Sequence, residues 1–333
     1  MQIAIIGAGF SGLTCARALQ AQGHHVTIFE KSGAVSGRIS TRRTEFGGFD
    51  HGAQYFTVTT KQFQQEAERW VSGGWVAPWQ GRLVTLQDGK IALAAKSSAA
   101  KSRYVGVPDM RTIGEELARG LDVRTGQRVE RIDSLDTQWT LTVHADSVPI
   151  AATAGPFDAV IVAVPADQAA PLLAVDPALA VQAEAARLAP CWTLMLAFQQ
   201  SLELGFDGAW VNGSRLGWLA QDASKPGRRA GEHWVCNATA AWSVEHLEEE
   251  PERAKEKLLK AFHEATGTQV QPVHAAIHRW RYAQAAQPLA GDCLWNATAR
   301  IGACGDWFAA GLAGAGRIEN AFLSGTALAA LIN

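Results

Sequence analysis

The sequence predicts an α/β fold in which a parallel-sheet domain interleaves with an α+β domain built on a mixed sheet. Two observations predict it. Residues 1–30 make a single βαβ unit: an apolar run Met1-Gln-Ile-Ala-Ile-Ile, the turn Gly7-Ala-Gly9-Phe-Ser-Gly12, a helix, and a second apolar run, Val26-Thr-Ile-Phe-Glu30, that ends in an acid. Far downstream, Asp158-Ala-Val-Ile-Val-Ala-Val-Pro165 and Arg300-Ile-Gly-Ala-Cys304 read as further buried strands of the same sheet, with a stretch of different character between them.

Each part of the first unit has a physical task. Gly7 permits the tight turn out of the strand, Gly9 lets the backbone approach a pyrophosphate, and Gly12 lets the helix lie against the sheet. The helix start at Ser11-Gly12 offers N–H groups and a positive dipole end to phosphates. Glu30, closing the second strand, can accept both hydroxyls of an adenosine ribose. Strand, turn, helix and acid fall in register, which makes this a Rossmann-like dinucleotide site.

With 333 residues the chain accommodates two domains. A net charge of -2 gives no basic field for nucleic acid, and 47% hydrophobic against 19% charged residues is ordinary for a globular enzyme. The longest apolar runs are strand-length, so no membrane span is expected. The chain starts directly on its first strand, which predicts no signal or transit peptide and a cytoplasmic location. Five scattered cysteines without Cys-x-x-Cys spacing read as reduced core thiols, and no metal site is expected.

Between these landmarks, the periodicity predicts a helix over Lys61–Ser72, a Gly/Trp-rich stretch Gly73–Gly81, a polar segment Lys96–Arg103 and a helix Met110–Arg119. Leu121–Thr125 is expected as a third parallel strand, and Arg128–Ile132 with Trp139–Val143 as a covering hairpin. From Ala166 onward, alternating runs at Cys191–Phe198, Glu232–Ala240 and Val273–Ala283 are accompanied by helical stretches Gln168–Arg187, broken at Pro177, and Glu249–Thr266. The expected division is therefore 1–56, 104–165 and 291–333 for the cofactor domain, and 57–103 with 166–290 for the substrate domain.

A nicotinamide dehydrogenase would continue with further βα units after Glu30. This chain instead runs through Lys31 into a second glycine turn, Ser36-Gly37-Arg38, where a cation suits a pyrophosphate beside a helix end. Near the C-terminus Gly305-Asp306 supplies a carboxylate after a strand, as a second polyol would require. Ile318-Glu-Asn320 then opens a helix whose positive end would stabilise charge on a reduced ring. These features point to FAD, held noncovalently because no cysteine sits in an attachment context.

This pattern resembles the amine-oxidase-like FAD superfamily, and within it the renalases of the bacterial type. The residues that carry the closer resemblance are Asp50-x-Gly52-Ala-Gln54-Tyr55-Phe56, Ser224-Lys-Pro-Gly-Arg228, Trp234-Val with Ala238-Thr and Trp242-Ser243, His278-Arg-Trp280-x-Tyr282-Ala283, and Cys304-Gly-Asp-Trp307 followed by Gly316-Arg-Ile-Glu319 and Leu-Ser-Gly325. The resemblance implies oxidation of 2- and 6-dihydro isomers of NAD(P). Hydride passes to flavin N5, giving β-NAD(P)+ and, with O2, hydrogen peroxide. It also implies that Gln54 and Tyr55 contact the flavin or substrate and that the strand at Val129 holds adenine through its backbone. Two positions depart from the pattern: Asn237 stands where renalases often carry His, and Asn320 where they often carry Gly.

A dihydropyridine expels hydride on its own lone pair, so no catalytic side chain beyond the flavin is expected, only a pocket that holds the ring. Strand alternation sets His278, Trp280 and Tyr282 on one face, and Asn237 on the opposite face of its strand from Trp234. Asn237, His278, Trp280 and Tyr282 are therefore the candidate substrate contacts, against the plainer reading of core aromatics and a satisfied histidine. Lys225-Pro-Gly-Arg228 reads either as a clamp for the substrate's pyrophosphate or as an exposed basic turn, and Glu245–Glu250 as a solvated approach to a helix. The competing functions are an FAD-dependent amine oxidase or desaturase-like enzyme, and a nucleotide-binding protein without turnover.

Overall fold

The computed structural model describes residues 1–92, 102–145, 150–312 and 317–332. Most of the polar segment expected at Lys96–Arg103, and Gly316 of the C-terminal motif, lie outside them. The chain folds into two compact units, one of residues 1–38, 113–188 and 284–333, the other of 39–112 and 189–283.

The first unit is built on a six-stranded sheet. β1 (Gln2–Ile6) sits at its centre, joined through α1 (Phe10–Ala21) to β2 (His25–Glu30) on one side. The strand Asp122–Thr125 continues parallel beyond β2, while Ala159–Val162 and Ile301–Ala303 continue parallel on the other side of β1. Leu294–Asn296 closes that edge antiparallel. The chain leaves β1 toward one side and returns on the other, so the carboxyl end of β1 is a topological switch point, where open α/β sheets bind ligands. Buried Ile3, Ile5, Val160, Ile161 and Ile301 explain the run-like apolar pattern, since helices and a second sheet cover the two faces.

That second sheet includes the expected hairpin, Gln127–Leu135 with Gln138–Ala145, and a third strand, Ala152–Phe157, that the sequence did not announce. Gly155-Pro156 sits inside the third strand and masks its alternation. The C-terminal helix Ile318–Ala330 packs on α1 at Gly325, where a Cβ would lie 2.5 Å from the Ser11 carbonyl oxygen.

The second unit carries a seven-stranded mixed sheet ordered Lys90–Ile91, Leu83–Gln87, Gly208–Asn212, Leu216–Gln221, Glu232–Ala238, Arg187–Phe198, His274–Gln287. Helix Pro251–Thr266 packs its Leu258, Ala261 and Phe262 against Trp234, Cys236 and Leu194 on one face. The helix Lys61–Ser72, capped by the Thr60 hydroxyl accepting from Phe63 N, accompanies a small sheet of Phe56–Thr57, Arg103–Gly106 and Val76–Trp79.

The expected boundaries need correction. Residues 39–56 and 104–112, expected with the first unit, lie in the second, and 166–188 and 284–290, expected with the second, lie in the first. The helices Ala166–Leu172 and Pro177–Ala185 explain the second change: Ala166, Leu173, Leu179 and Ala183 complete the core under the parallel sheet. Their apolar pattern shows that they bury a face without showing against which sheet.

Candidate functional site

In the first unit the two glycine turns meet. Gly7 has φ +106°, and a Cβ there would lie 2.7 Å from the Ala163 carbonyl oxygen. A Cβ on Gly12 would fall 2.2 Å from the Gly7 oxygen, so this turn tolerates no side chain at either position. A Cβ on Gly9, by contrast, would meet nothing within 4 Å. Ser36 N donates to the Ala8 carbonyl at 3.0 Å, which ties the second turn to the first.

Glu30 is buried, and its carboxylate is held by the backbone: Ala8 N donates to Oε2 at 2.8 Å and Ser32 N to Oε1 at 2.8 Å. Each oxygen keeps a further lone pair, which is what a ribose diol needs. Gly9 caps α1 without any side-chain hydrogen bond, and the buried Ser11 hydroxyl has no partner among the described residues. Open space at Gly9, a helix start without a side-chain cap and an orphaned hydroxyl together fit the pyrophosphate and ribose of a dinucleotide.

Arg38 and Asp306, expected as separate ligands of the cofactor, form a bidentate pair with each other at 2.9 and 2.5 Å. The carboxylate therefore sets the guanidinium beside the second turn. Lys31 donates to Gln168 at 3.2 Å. Val129 faces Val143 on the covering sheet, just before a register shift, and its side chain belongs to the core. Ile318 is the first residue of the C-terminal helix and is buried. Asn320 is also buried, and its amide donates to the carbonyls of Phe308 and Ala309 at 3.1 and 2.9 Å. The departure at this position thus ties down the preceding segment.

In the second unit one short segment, residues 50–54, feeds three side-chain groups, through Asp50, His51 and Gln54. The first surrounds Asp50, whose Oδ1 accepts from Thr41 Oγ1 at 2.6 Å and Met110 N at 3.1 Å. Its Oδ2 accepts from Lys225 Nζ at 3.0 Å and Arg228 Nη2 at 2.6 Å. Lys225 also pairs with Asp222, whose other oxygen accepts from Asp50 N at 2.5 Å. Burial alone would raise the Asp50 carboxyl, but the adjacent Lys225 and Arg228 charges outweigh it and hold it well below the usual carboxylate range. Burial and the Asp50 charge push Asp222 the other way. Lys225-Pro-Gly-Arg228 is therefore neither an exposed turn nor a phosphate clamp, since both cations are buried and engaged by acids of this unit.

The second group is His51, His278, Trp280 and Arg42. Trp280 Nε1 donates to the His51 carbonyl at 2.8 Å, the His51 and Trp280 rings stack at 5.2 Å, and His278 meets Trp280 edge-on at 4.3 Å. Arg42 Nη2 lies 3.3 Å from His278 Nδ1. Burial, then the neighbouring charges, lowers His51 to about 4, and burial with Arg42 lowers His278 to about 4, so both rings are neutral at pH 7. Tyr282 shares this strand, but the ring contacts of the group end at Trp280.

The third group is a polar row. Trp218 Nε1 donates to Gln54 Oε1 at 3.1 Å, Gln54 Nε2 donates to Asn237 Oδ1 at 3.2 Å, and Thr193 Oγ1 donates to the same oxygen at 3.3 Å. Gln54 and Asn237, expected at cofactor and substrate separately, are one hydrogen-bonded pair. The sequence did not single out Arg42, His51, Thr193 or Trp218, because each meets its partner across a long stretch of chain.

A family model for flavin containing amine oxidoreductases matches residues 83–333, and one for an NAD(P)-binding Rossmann-like domain matches residues 5–72. The chain belongs to the flavin-containing amine oxidoreductases. It is an FAD-dependent enzyme, and the turn around Gly9, Ser11 and Glu30 fits that cofactor. A 4,4'-diapophytoene desaturase (4,4'-diaponeurosporene-forming) of Staphylococcus aureus (strain Newman) is 48% identical over 52 residues, which are 16% of this chain and 10% of the desaturase. The match thus spans about a tenth of that relative's length.

Among solved structures, a protein of Exiguobacterium sp. 255-15 provisionally named a protoporphyrinogen oxidase superposes with TM-score 0.76 at 13% identity, covering 99% of this chain and 98% of that one. A double mutant of putrescine oxidase gives 0.69 at 15% identity over 99% and 98%. An oxidoreductase of Methanosarcina mazei gives 0.69 at 16% identity over 98% and 99%. At these identities the likeness is one of fold. Among the described residues no helix is long and apolar enough to cross a membrane, and no cluster of His, Cys, Asp or Glu could hold a metal ion.

Proposed function

We propose that this enzyme is a renalase-type oxidase of 2- and 6-dihydro isomers of NAD(P), acting in the cytoplasm with a noncovalent FAD. The charge of the second unit's candidate surface carries the reading. The His51–His278–Trp280 group contains Arg42, its histidines are neutral, and the amide row of Gln54 and Asn237 adds no charge. The nearby acids, Asp50 and Asp222, are buried and paired with cations. A cationic amine finds no free carboxylate in these groups, whereas a dinucleotide with its phosphates is favoured.

Bound FAD would supply a two-electron acceptor for the hydride at C2 or C6 of the dihydropyridine, with O2 as the final oxidant and hydrogen peroxide as its two-electron, two-proton product. The chain's own part is to bind and orient. Glu30, Gly9 and Ser11 hold the adenosine end of the cofactor, and the Arg38–Asp306 pair sets a cation beside its phosphates. Trp280 and His278 offer an aromatic surface to a nicotinamide ring, and the Gln54–Asn237 amides offer hydrogen bonds to its carboxamide. A substrate that expels hydride unaided needs no general base, and neutral histidines with engaged acids suit it.

The second reading, an amine oxidase or desaturase-like enzyme, is favoured by the family match over residues 83–333. The test is an anaerobic titration of the FAD-loaded enzyme, followed at the flavin band, with 6-dihydro-NAD, ordinary β-NADH and benzylamine. Rapid bleaching by the 6-dihydro isomer alone supports the proposal. Bleaching by the amine alone overturns it in favour of the second reading.

A further inference from the structure

Arg103 lies in an aromatic cluster of the second unit that the groups above leave out. It opens the strand Arg103–Gly106, paired on one side with Thr57 and on the other with Trp79. Its guanidinium carbon lies 5.5 Å from the ring centroid of Tyr55 and 5.5 Å from that of Trp210. Tyr55 in turn touches Trp218 and Trp79 at 5.6 and 6.0 Å, and Trp210 meets Trp218 at 5.0 Å. Trp218 is the residue that donates to Gln54, so this cluster continues the polar row.

The surroundings of Arg103 are apolar and flat, yet the side chain has no acid. Among the described residues its buried Nε–H finds no hydrogen-bond partner and no carboxylate pairs with it. Several other arginines of this unit are matched to acids: Arg43 pairs with Asp109, Arg228 with Asp50, and Arg281 with Glu248. A guanidinium that rests on two rings keeps its planar edge, with its donor fork, for a ligand. Burying that edge without a partner would cost stability, so an anion of matching geometry is the fitting occupant.

We propose that Arg103 binds a phosphate of the dinucleotide substrate, with Trp210, 39% exposed, as an aromatic wall beside it. The assignment rests on the proposed function, since it is there that a substrate with phosphates arises. Arg103 acts in recognition and takes no part in the redox step.

The test uses the FAD-loaded enzyme and two ligands, β-NAD+ and nicotinamide riboside, which lacks phosphate. Binding is read by quenching of tryptophan fluorescence in wild type, Arg103→Ala and Arg103→Lys, with the flavin spectrum confirming that each variant retains FAD. The expected result is a loss of about tenfold to a hundredfold for β-NAD+ in Arg103→Ala, the range for a charge-assisted hydrogen bond. Arg103→Lys should lose less, and nicotinamide riboside should bind all three alike. Equal β-NAD+ binding in wild type and Arg103→Ala overturns the inference. So does an equal loss for both ligands, which would make Arg103 a packing residue of the Tyr55 cluster. Saturable binding of β-NAD+ with no bleaching by any dihydro isomer would overturn the proposed oxidation while leaving the phosphate contact standing. No β-NAD+ binding by wild type removes the Arg103 inference by itself.

Discussion

Asp50→Asn is the sharpest test of how the second unit is held together. The substitution keeps size and shape, and an amide oxygen in the Oδ1 position still accepts from Thr41 and Met110. On the other side an NH2 group replaces the oxygen that accepts from Lys225 at 3.0 Å and Arg228 at 2.6 Å. Two cations then share Asp222 alone, in a site where Lys225 is 2% and Asp222 1% exposed. Breaking a buried pair in this way costs about 3–5 kcal/mol. Lys225→Met should cost a similar amount, leaving two carboxylates to Arg228. The double variant removes one charge of each sign and should be more stable than the sum of the single losses predicts by at least about 2 kcal/mol. The assay is urea unfolding followed by tryptophan fluorescence at a fixed excess of FAD, because bound cofactor shifts the midpoint by mass action. A loss below about 1 kcal/mol for Asp50→Asn, or strict additivity in the double variant, would refute the argument.

The other predictions are smaller in scope. Gly12→Ala places a methyl group 2.2 Å from the Gly7 oxygen, so purified protein should lose its flavin absorbance; full FAD content would contradict the close approach. Asn320→Gly frees the carbonyls of Phe308 and Ala309 and should lower stability by about 1–3 kcal/mol in a thermal melt. His51, lowered to about 4, stays neutral in the folded state while the unfolded chain takes up a proton below pH 6.5. Its contribution is therefore complete above pH 6.5 and is lost as pH falls toward 4, by about 3 kcal/mol. His51→Asn should flatten that slope in a pH series of melts, and an unchanged slope would mean that His51 does not titrate there.

The glycine turn was legible because its requirements are local: within one supersecondary unit Gly7 and Gly12 answer steric needs and Glu30 a hydrogen-bonding one. The strands at Ala159–Val162 and Ile301–Ala303 were legible for a similar reason, as uninterrupted apolar runs buried on both faces. What stayed hidden depends on distance along the chain. Lys225 and Arg228 looked like a basic turn because Asp50 lies some 175 positions away, and nothing in the sequence pairs them. Arg103 borders a polar segment and gave no periodic signal, and Gln54 and Asn237 were both picked out without any means of seeing that they bond to each other. The helices after Ala166 were read correctly as helices but assigned to the wrong sheet, since an apolar face does not name its partner.

The chain passes between the two units four times, and this bears on synthesis. At the ribosome, Ala159–Val162 pairs with β1 early, yet its other edge waits for Ile301–Ala303, and α1 waits for Gly325 to cover Ser11. Until residues 301–325 have emerged, the nascent chain carries an open parallel edge and an uncovered helix, the features that invite association with other chains. Neither unit corresponds to a contiguous stretch that could be cut out and expressed alone. Late closure of this sheet leaves both of its halves incomplete until the C-terminal strand and helix are made.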